Sequence, residues 1–521
     1  MLPDWLRRSA ENFPDRLALQ CGRTHWTFAE LDRRASHLAR QLINLGIGEQ
    51  SRVALLAANS PDYVVFVHAL IRLGAILVPL NTRLSLAELC WQLRDARVTV
   101  LVNDAHHAAT AAEIGQAMPE LERATFAHKA CCGEQVLHRL PAIEIPLRSE
   151  IDLTATHVIM YTSGTTGSPK GVIITYGMQW WNAVGSALNM GLRDDDRWLA
   201  CMPLFHIGGL SILMRSVIYG MGVIMLEKFD AVAVNQLICE EGATIVSVVS
   251  VMLQRMLATL DAWQRRYPSS LRCVLLGGGP APRPLLEDCL RRQIPVLQTY
   301  GLTESCSQAA TLAPEDALRK VGSAGKPLMP VQLCIMQDDR VAPVGEPGVI
   351  MLKGPTITPG YVDRPEETAR AFKDGWFSTG DIGYLDAEGY LYVLDRRADL
   401  IISGGENVYP AEIEAVLLAH HAVEEAGVCG LDDERWGQVP VAFVRLRPGS
   451  LVTTAELLAY AGQRLARYKL PKAIYIVEQL PRNSAGKLVR RELLRLLPAH
   501  KPAHEDLSAA NSEYEDQALS L

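Results

Sequence analysis

The chain has 521 residues, 49% of them hydrophobic, and its 51 Lys and Arg against 58 Asp and Glu give a net charge of -7 at pH 7. A chain of this length exceeds what one hydrophobic core usually serves, so several domains or subdomains are expected. Because no long run of Lys or Arg occurs, the sequence argues against binding to nucleic acid or to anionic membranes, and small molecules are the expected partners.

The cysteine pattern and the apolar pattern bear on the compartment. The 11 cysteines are scattered and no Cys-x-x-Cys spacing occurs, which is typical of a reducing compartment. The first residues carry several charges instead of the apolar core of a signal peptide, and no uncharged apolar stretch is long enough to cross a membrane. We therefore expect a cytoplasmic protein without an integral membrane segment.

The predicted elements follow one pattern over most of the chain. Residues 1–394 alternate short β-branched runs with amphipathic helical stretches, which is typical of parallel sheets covered by helices. From 321 to 395 the pattern changes to short strands broken by Gly and Pro, which indicates an antiparallel or barrel-like subdomain. The charged segment 395–399 predicts a domain boundary. Residues 400–497 read as a small α+β domain, and residues 498–521 as a disordered tail.

The clearest chemical signal is the segment 161–171, which lies between two apolar strands. It contains three glycines, five Ser or Thr hydroxyls and Lys170. Glycines allow backbone N–H groups to converge on an anion, hydroxyls add donors, and the lysine supplies a positive charge. A Walker loop would need the lysine directly after a glycine and followed by Ser or Thr, whereas Lys170 stands three residues after Gly167 and is followed by Gly171. The segment therefore predicts a phosphate-binding loop of a different kind.

With four further segments in the same order, this loop resembles the adenylate-forming superfamily, which includes acyl-CoA synthetases, luciferases and peptide-synthetase adenylation domains. The matching segments are 161–171, 300–304, 378–381, 395–396 with 403–407, and 481–487. The resemblance implies an α/β fold with a large N-terminal AMP-binding domain, residues 1–394, made of two α/β subdomains plus a distorted β-barrel subdomain. It also implies a hinge at 395–399, with Ala398 at the rotating position, and a small mobile α+β C-terminal domain, residues 400–497.

The resemblance also implies how ATP and Mg2+ are held. Asp381 would accept hydrogen bonds from the ribose hydroxyls, with Arg396 beside it, and the backbone after the strand 272–276 would leave room for adenine against the Tyr300 ring. Glu304 would be the Mg2+ ligand, because a carboxylate beside phosphates is otherwise repulsive. The implied ATP-binding residues are Thr162, Ser163, Gly164, Thr165, Thr166, Lys170, Gly278, Gly279, Pro280, Tyr300, Thr303, Asp381 and Arg396.

The acid and coenzyme A (CoA) sites follow from the same resemblance. Lys487 would stabilise the negative charge that builds on the acid carboxylate and the α-phosphate, and His206 would gate the acyl pocket. The implied catalytic residues are Lys487, His206 and Glu304. The implied acid-binding residues are His206, Gly278, Ser307 and Gln308, and those for CoA are Ser403, Gly404 and Gly405.

The reaction implied is ATP-dependent formation of an acyl-CoA thioester through an acyl adenylate. The segments 275–282, 301–308 and 396–407 resemble most the o-succinylbenzoate-CoA ligases of menaquinone biosynthesis. Another aryl or medium-chain acyl-CoA ligase, a stand-alone adenylation enzyme that loads a carrier protein, and a non-catalytic AMP sensor stay open as alternatives. The expected partners are a small carboxylic acid, ATP and CoA, and association into a homo-oligomer also stays open.

Overall fold

The computed structural model describes residues 1–127, 133–162, 169–278, 281, 283–316, 319–337, 340–395, 400–481 and 488–497. The first third of the chain alternates strands and helices: β1 (Leu2–Pro3), α1 (Trp5–Asn12), β2 (Leu17–Cys21), β3 (Thr24–Thr27), α2 (Phe28–Leu42), β4 (Arg52–Leu56), α3 (Pro61–Leu73), β5 (Ile76–Pro79), α4 (Leu86–Asp95), β6 (Val100–Asn103), α5 (Ala108–Ala117), β7 (Glu122–Thr125), β8 (Gln135–Val136), β9 (Glu150–Ile151), β10 (Thr156–Thr162) and β11 (Lys170–Thr175).

The alternation continues through the middle of the chain. The elements are α6 (Tyr176–Met190), β12 (Arg197–Ala200), α7 (Ile207–Tyr219), β13 (Gly222–Met225), α8 (Ala231–Cys239), β14 (Ile245–Val248), α9 (Ser250–Ala262), β15 (Cys273–Leu276), α10 (Arg283–Arg291), β16 (Val296–Tyr300), β17 (Ala310–Thr311) and β18 (Lys326–Pro327).

Short strands then dominate, followed by a mixture of strands and helices. The first group is β19 (Gln332–Gln337), β20 (Arg340–Val341), β21 (Gly348–Lys353), α11 (Pro365–Ala371), β22 (Phe372–Lys373), β23 (Trp376–Leu385) and β24 (Leu391–Asp395). The second is β25 (Ile401–Ser403), β26 (Glu406–Val408), α12 (Pro410–Leu418), β27 (Val423–Asp433), β28 (Gly437–Leu446), α13 (Thr454–Gly462) and β29 (Ile474–Ile476).

Two largely parallel sheets form the main body. One has the order β11-β10-β5-β4-β6-β7-β8, and the other β18-β17-β16-β15-β14-β12-β13-β2-β3. Antiparallel strands occupy their edges, where β10 pairs with β11 and β2 with β3. The inner strands of both sheets are buried, because helices cover the sheets. The predicted parallel sheets are thereby confirmed.

The later sheets are antiparallel. The order β20-β19-β21-β23-β22, with β24 on β23, gives the predicted antiparallel subdomain, whose strands β21 and β23 carry a register shift. The sheet β26-β25-β28-β27, with β29 on β28, belongs to the C-terminal part and packs against α12 and α13. Among the described residues, none of the helices is long and apolar enough to cross a membrane.

Helix α7 shows how local sequence places one side chain of the site. It begins directly after His206, whose backbone is extended, and ends at Gly220, which has a φ of 66°. A left-handed residue at the end of a helix favours glycine because a Cβ is strained there. At the other end of the helix, His206 precedes the first helical residue and follows β12, so it lies beyond the carboxyl end of an inner strand of the second parallel sheet.

Candidate active site

A cavity of about 260 Å³ opens at the carboxyl ends of strands from both parallel sheets, the position where open α/β sheets bind ligands. Residues from the antiparallel subdomain and from the C-terminal part complete its wall. Of the residues that the sequence predicts for the site, the structure places these on the wall: Thr162, His206, Gly278, Thr303, Glu304, Ser307, Asp381 and Gly405.

Five other predicted residues are described but are not among those that line the cavity. They are Lys170, Tyr300, Gln308, Ser403 and Gly404. Tyr300 is buried in the core next to the antiparallel subdomain, so its stacking on adenine stays a prediction. The remaining predicted residues lie outside the described residues: Ser163, Gly164, Thr165, Thr166, Gly279, Pro280, Arg396 and Lys487, together with the hinge residue Ala398.

Glu304 and Lys170 both interact with one tyrosine, Tyr361. The Tyr361 hydroxyl donates a hydrogen bond to Glu304 Oε1 at 3.0 Å, and the Lys170 ammonium lies 5.3 Å from the centre of the Tyr361 ring. Glu304 is buried, and its backbone carbonyl accepts a hydrogen bond from the Thr358 N–H at 2.8 Å. Tyr361 thus connects a carboxylate of the cavity wall with the cation that ends the predicted phosphate loop.

The donor set at Glu304 suits Mg2+ carried by phosphates. In the described part of the chain, no group of three or more His, Cys, Asp or Glu could hold a metal ion by itself. Mg2+ is commonly bound by one or two carboxylates together with substrate phosphates and water. Glu304, a buried carboxylate on the cavity wall, fits that arrangement.

Asp381 is held in place by neighbours on two sides. The Tyr300 hydroxyl donates to Asp381 Oδ2 at 2.7 Å, and the Asp381 N–H donates to Thr379 Oγ1 at 3.1 Å. Asp381 is buried but lines the cavity. A carboxylate only accepts hydrogen bonds, so it matches a ligand with two neighbouring hydroxyls.

Arg215 is a cavity residue that the sequence analysis missed. Its guanidinium lies over the Trp198 ring, 5.2 Å from the ring centre, and Nη2 donates to Asn182 Oδ1 at 2.7 Å. Only 2% of Arg215 is exposed, and none of the described carboxylates forms an ion pair with it. Burial lowers the pKa of Arg215 from its ordinary value because it penalises the charged form. The available signal was a single arginine inside the apolar run of α7.

The C-terminal part reaches the cavity through the loop between β25 and β26. Glu406 Oε2 lies 3.0 Å from His206 Nε2, and Arg83 Nη1 donates to Glu406 Oε1 at 2.9 Å. Burial alone would raise the pKa of Glu406, but His206, Arg83 and Lys469 outweigh it and lower the pKa to about 2. The carboxylate is therefore ionised at neutral pH and joins the two parts of the chain.

Two glycines approach the same side chain from different parts of the chain. Gly278 and Gly405 have φ values of 82° and 88°, and a Cβ on either would meet Val249 at 2.8 Å and 3.2 Å. Both the backbone conformation and the space at these positions favour glycine. Next to Val249, the cavity wall is therefore formed by the backbone of Gly278 and Gly405, without side chains.

The chain is similar to known proteins over nearly its whole length. The pattern of AMP-binding enzymes matches residues 6–362, and that of the AMP-binding enzyme C-terminal domain matches residues 412–487. A 2-succinylbenzoate–CoA ligase of Geobacillus kaustophilus is 53% identical over 497 residues, which are 95% of this chain and 98% of the relative.

Two solved structures of o-succinylbenzoate CoA synthetase (MenE) from Bacillus subtilis have similar folds. A double mutant with the product analogue OSB-NCoA is 43% identical, has a TM-score of 0.87 and covers 94% of this chain and 98% of its own. A complex with ATP and magnesium ion is 44% identical, has a TM-score of 0.72 and covers 94% and 99%. With a match of this extent, the chain belongs to the AMP-binding enzyme family.

Proposed function

We propose that the protein is an AMP-forming acid–thiol ligase that converts 2-succinylbenzoate to its CoA thioester, a step of menaquinone biosynthesis. The relatives of that name, which match nearly the full chain, support the reaction. The observation that carries the choice of acid is Arg215, a buried guanidinium on the cavity wall that has no carboxylate partner among the described residues.

The charge of the acid explains why Arg215 matters. 2-Succinylbenzoate has two carboxylates: the aliphatic one is activated, and the aromatic one stays charged in the pocket. Burying an unpaired carboxylate or an unpaired guanidinium costs free energy. Pairing the aromatic carboxylate with Arg215 would offset both costs. A guanidinium also presents two parallel donors that match a carboxylate. Ser307, which also lines the cavity, is a further donor for the acid.

The first half-reaction joins the acid to AMP. The aliphatic carboxylate attacks the α-phosphorus of ATP, the bond to the β-phosphate oxygen breaks, and pyrophosphate leaves. In this scheme Asp381 would accept hydrogen bonds from the ribose hydroxyls, and Glu304 would hold Mg2+, whose charge would neutralise that of the phosphates. Lys170 would place its positive charge beside the phosphates. Lys487 would stabilise the negative charge that builds on the acid carboxylate and the α-phosphate.

The second half-reaction transfers the acyl group to CoA. The thiol sulfur attacks the adenylate carbonyl, the bond to the phosphate oxygen breaks, and AMP leaves as the thiol loses its proton. The loop of Ser403, Gly404 and Gly405 is the proposed path for the thiol. It meets His206 through the neighbouring Glu406, at the acyl end of the cavity.

The arrangement of the two parts of the chain corresponds to this second step in our proposal. The TM-score is 0.87 against the complex with the product analogue but 0.72 against the complex with ATP, although sequence identity is nearly the same. We therefore propose that the chain rotates its C-terminal part at 395–399 to begin a new cycle. In the described arrangement, Gly405 and Glu406 lie at the cavity.

The reaction would take place in the cytoplasm. The scattered cysteines, without any Cys-x-x-Cys spacing, support this placement because that pattern is typical of a reducing compartment. ATP and CoA are the co-substrates, and association into a homo-oligomer stays a prediction from the sequence.

The test is a pyrophosphate-release assay with Mg-ATP and a panel of acids, with and without CoA. The panel includes 2-succinylbenzoate, benzoates, fatty acids and 4-oxo-4-phenylbutanoate, which lacks only the aromatic carboxylate. We expect the highest kcat/KM with 2-succinylbenzoate, and a CoA thioester only when CoA is present. A preference for benzoates or fatty acids would leave the two-step reaction standing but overturn the assignment of the acid.

A further inference from the structure

The loop that contains Cys306 and Ser307, next to the acyl end of the cavity, has a strained backbone. Cys306 and Ser307 have φ values of 56° and 92°, which residues with a side chain rarely adopt. The loop packs so closely on Gly301 that a Cβ there would lie 1.5 Å from the Ser307 carbonyl oxygen. This loop follows Glu304 and carries Ser307 to the cavity, so something must hold it in this conformation.

Asn182 of α6 forms hydrogen bonds to the residues on both sides of Cys306 and Ser307. Its Nδ2 donates to the Gln308 carbonyl oxygen at 2.8 Å and to the Ser305 carbonyl oxygen at 3.4 Å. Its Oδ1 accepts the hydrogen bond from Arg215 Nη2 at 2.7 Å. The buried Asn182 amide therefore holds the loop through its nitrogen and the Arg215 guanidinium through its oxygen.

The chemical type of this partner decides what Arg215 can bind. An amide oxygen orients a guanidinium but carries no net charge, so the positive charge of Arg215 stays available to a ligand. A carboxylate at the same place would pair with Arg215 inside the protein and remove most of that attraction. Asn and Asp have nearly the same shape, so the difference is one of charge and hydrogen-bond donors.

We propose that Asn182 is a positioning residue that makes the acid site selective for acids with a second carboxylate. It aims the Arg215 guanidinium into the cavity without neutralising it, and it holds the loop that carries Ser307. This inference rests on the proposed function, because it assigns the second carboxylate of the acid to Arg215.

The test compares two acids on the same enzyme preparations. The readout is the ratio of kcat/KM for 2-succinylbenzoate to kcat/KM for 4-oxo-4-phenylbutanoate, measured by pyrophosphate release. A loss of active enzyme affects both acids alike and cancels in the ratio, whereas misplacing Arg215 or the loop that carries Ser307 does not. A change in the ratio therefore reports on recognition of the second carboxylate.

We expect Asn182→Asp to lower the ratio roughly ten- to hundredfold, mainly through KM, which is the range for losing a hydrogen bond to a charged group. Asn182→Ala loosens Arg215 but leaves its charge, so the ratio should fall only about threefold to tenfold. If the Asn182→Asp variant does not fold, the Asn182→Ala variant decides the test by itself. If neither substitution changes the ratio, the proposal is wrong.

Arg215→Met separates this inference from the proposed function. It should collapse the ratio if the guanidinium binds the second carboxylate. A ratio unchanged by Arg215→Met would overturn that assignment and, with it, the role of Asn182. A ratio that responds to Arg215→Met but to neither Asn182 variant would overturn the role of Asn182 alone.

Discussion

The Lys469 ammonium lies 2.7 Å from Glu88 Oε1 and 2.7 Å from Glu412 Oε1, and only 3% of Lys469 is exposed. Glu88 belongs to α4 of the large N-terminal part, whereas Lys469 and Glu412 belong to the C-terminal part. Burial by itself lowers the pKa of Lys469, but the two carboxylates outweigh it and raise the pKa above its ordinary value. The ion pair between Glu88 and Lys469 thus joins the two parts in the described arrangement.

Replacing Glu88 by Gln should slow the second half-reaction selectively. The variant keeps a side chain that can accept the hydrogen bonds from Ser85 at the start of α4. It loses the charged contact with Lys469, and hydrogen bonds to charged groups are worth about 1.5–3 kcal/mol. We expect roughly tenfold slower thioester formation from preformed acyl adenylate and CoA, with little change in pyrophosphate release.

The matched control for this substitution is Glu113→Gln, which removes the same charge from an exposed position of α5. It should change neither half-reaction. Equal losses of both half-reactions in Glu88→Gln would contradict a role that is specific to this arrangement.

Glu406→Gln should weaken thioester formation by a factor that does not depend on pH near neutrality. Its pKa is lowered from 4.5 to about 2, so the carboxylate stabilises the arrangement above pH 4.5 and loses this effect as the pH falls toward 2. We expect about a tenfold loss that stays constant when rates of thioester formation are compared across the neutral range.

The exposed Glu434 provides the control, since Glu434→Gln removes a charge from the same part of the chain. A loss in Glu406→Gln that varied steeply with pH near neutrality would contradict the role assigned to the Glu406 carboxylate.

The sequence predicts the fold well because the periodicities are local. Buried strands such as β4 and β15 are continuous apolar runs, and the breaks at Gly and Pro mark the change to antiparallel strands. Motifs that lie at the ends of strands were also predictable, because parallel strands bring their carboxyl ends to one edge. Thr162, Glu304 and Asp381, far apart in the chain, accordingly line one cavity.

Residues whose role depends on packing between distant elements could not be predicted. Arg215 reads as an ordinary helical arginine until α6 and α7 bring Asn182 against it. In the sequence Lys469 resembles a surface lysine. Its ion pair with Glu88 becomes visible only in the fold, which brings the two parts of the chain together. Conversely, Gln308 was predicted to bind the acid, yet its side chain is buried and is not among the described residues on the cavity wall.

Tyr361→Phe should raise the Mg2+ concentration needed for adenylation. The hydroxyl fixes Glu304 through a hydrogen bond of 3.0 Å, and its loss leaves a metal-binding carboxylate less well oriented. We expect half-saturation by Mg2+ to rise about fivefold, which corresponds to about 1 kcal/mol, in a titration of pyrophosphate release. Thioester formation from preformed adenylate should not change.

Tyr392→Phe is the control, because it removes a tyrosine hydroxyl from the antiparallel subdomain, where the Tyr392 ring stacks on Tyr384. A Tyr361→Phe enzyme with normal Mg2+ dependence and a lower kcat would contradict the assigned role of the hydroxyl.

Gly405→Ala should impair thioester formation more than pyrophosphate release. The new Cβ would meet Val249 Cγ2 at 3.2 Å in the described arrangement, and the φ of 88° adds backbone strain. Gly449→Ala is a matched comparison, because its φ is 79° but its Cβ would meet nothing within 4 Å. Backbone strain from a Cβ at positive φ costs roughly 1–2 kcal/mol at either position, so a larger loss at Gly405 is attributed to the contact with Val249.

Two further variants complete this prediction. Val249→Ala combined with Gly405→Ala should recover part of the lost thioester formation, because it restores space but leaves the strain. Lys487→Ala should show the reverse pattern, with adenylation abolished and thioester formation from supplied adenylate nearly intact. If Gly405→Ala and Lys487→Ala damaged both half-reactions equally, a rotation between two arrangements would be the wrong explanation, since each residue would then act in both steps.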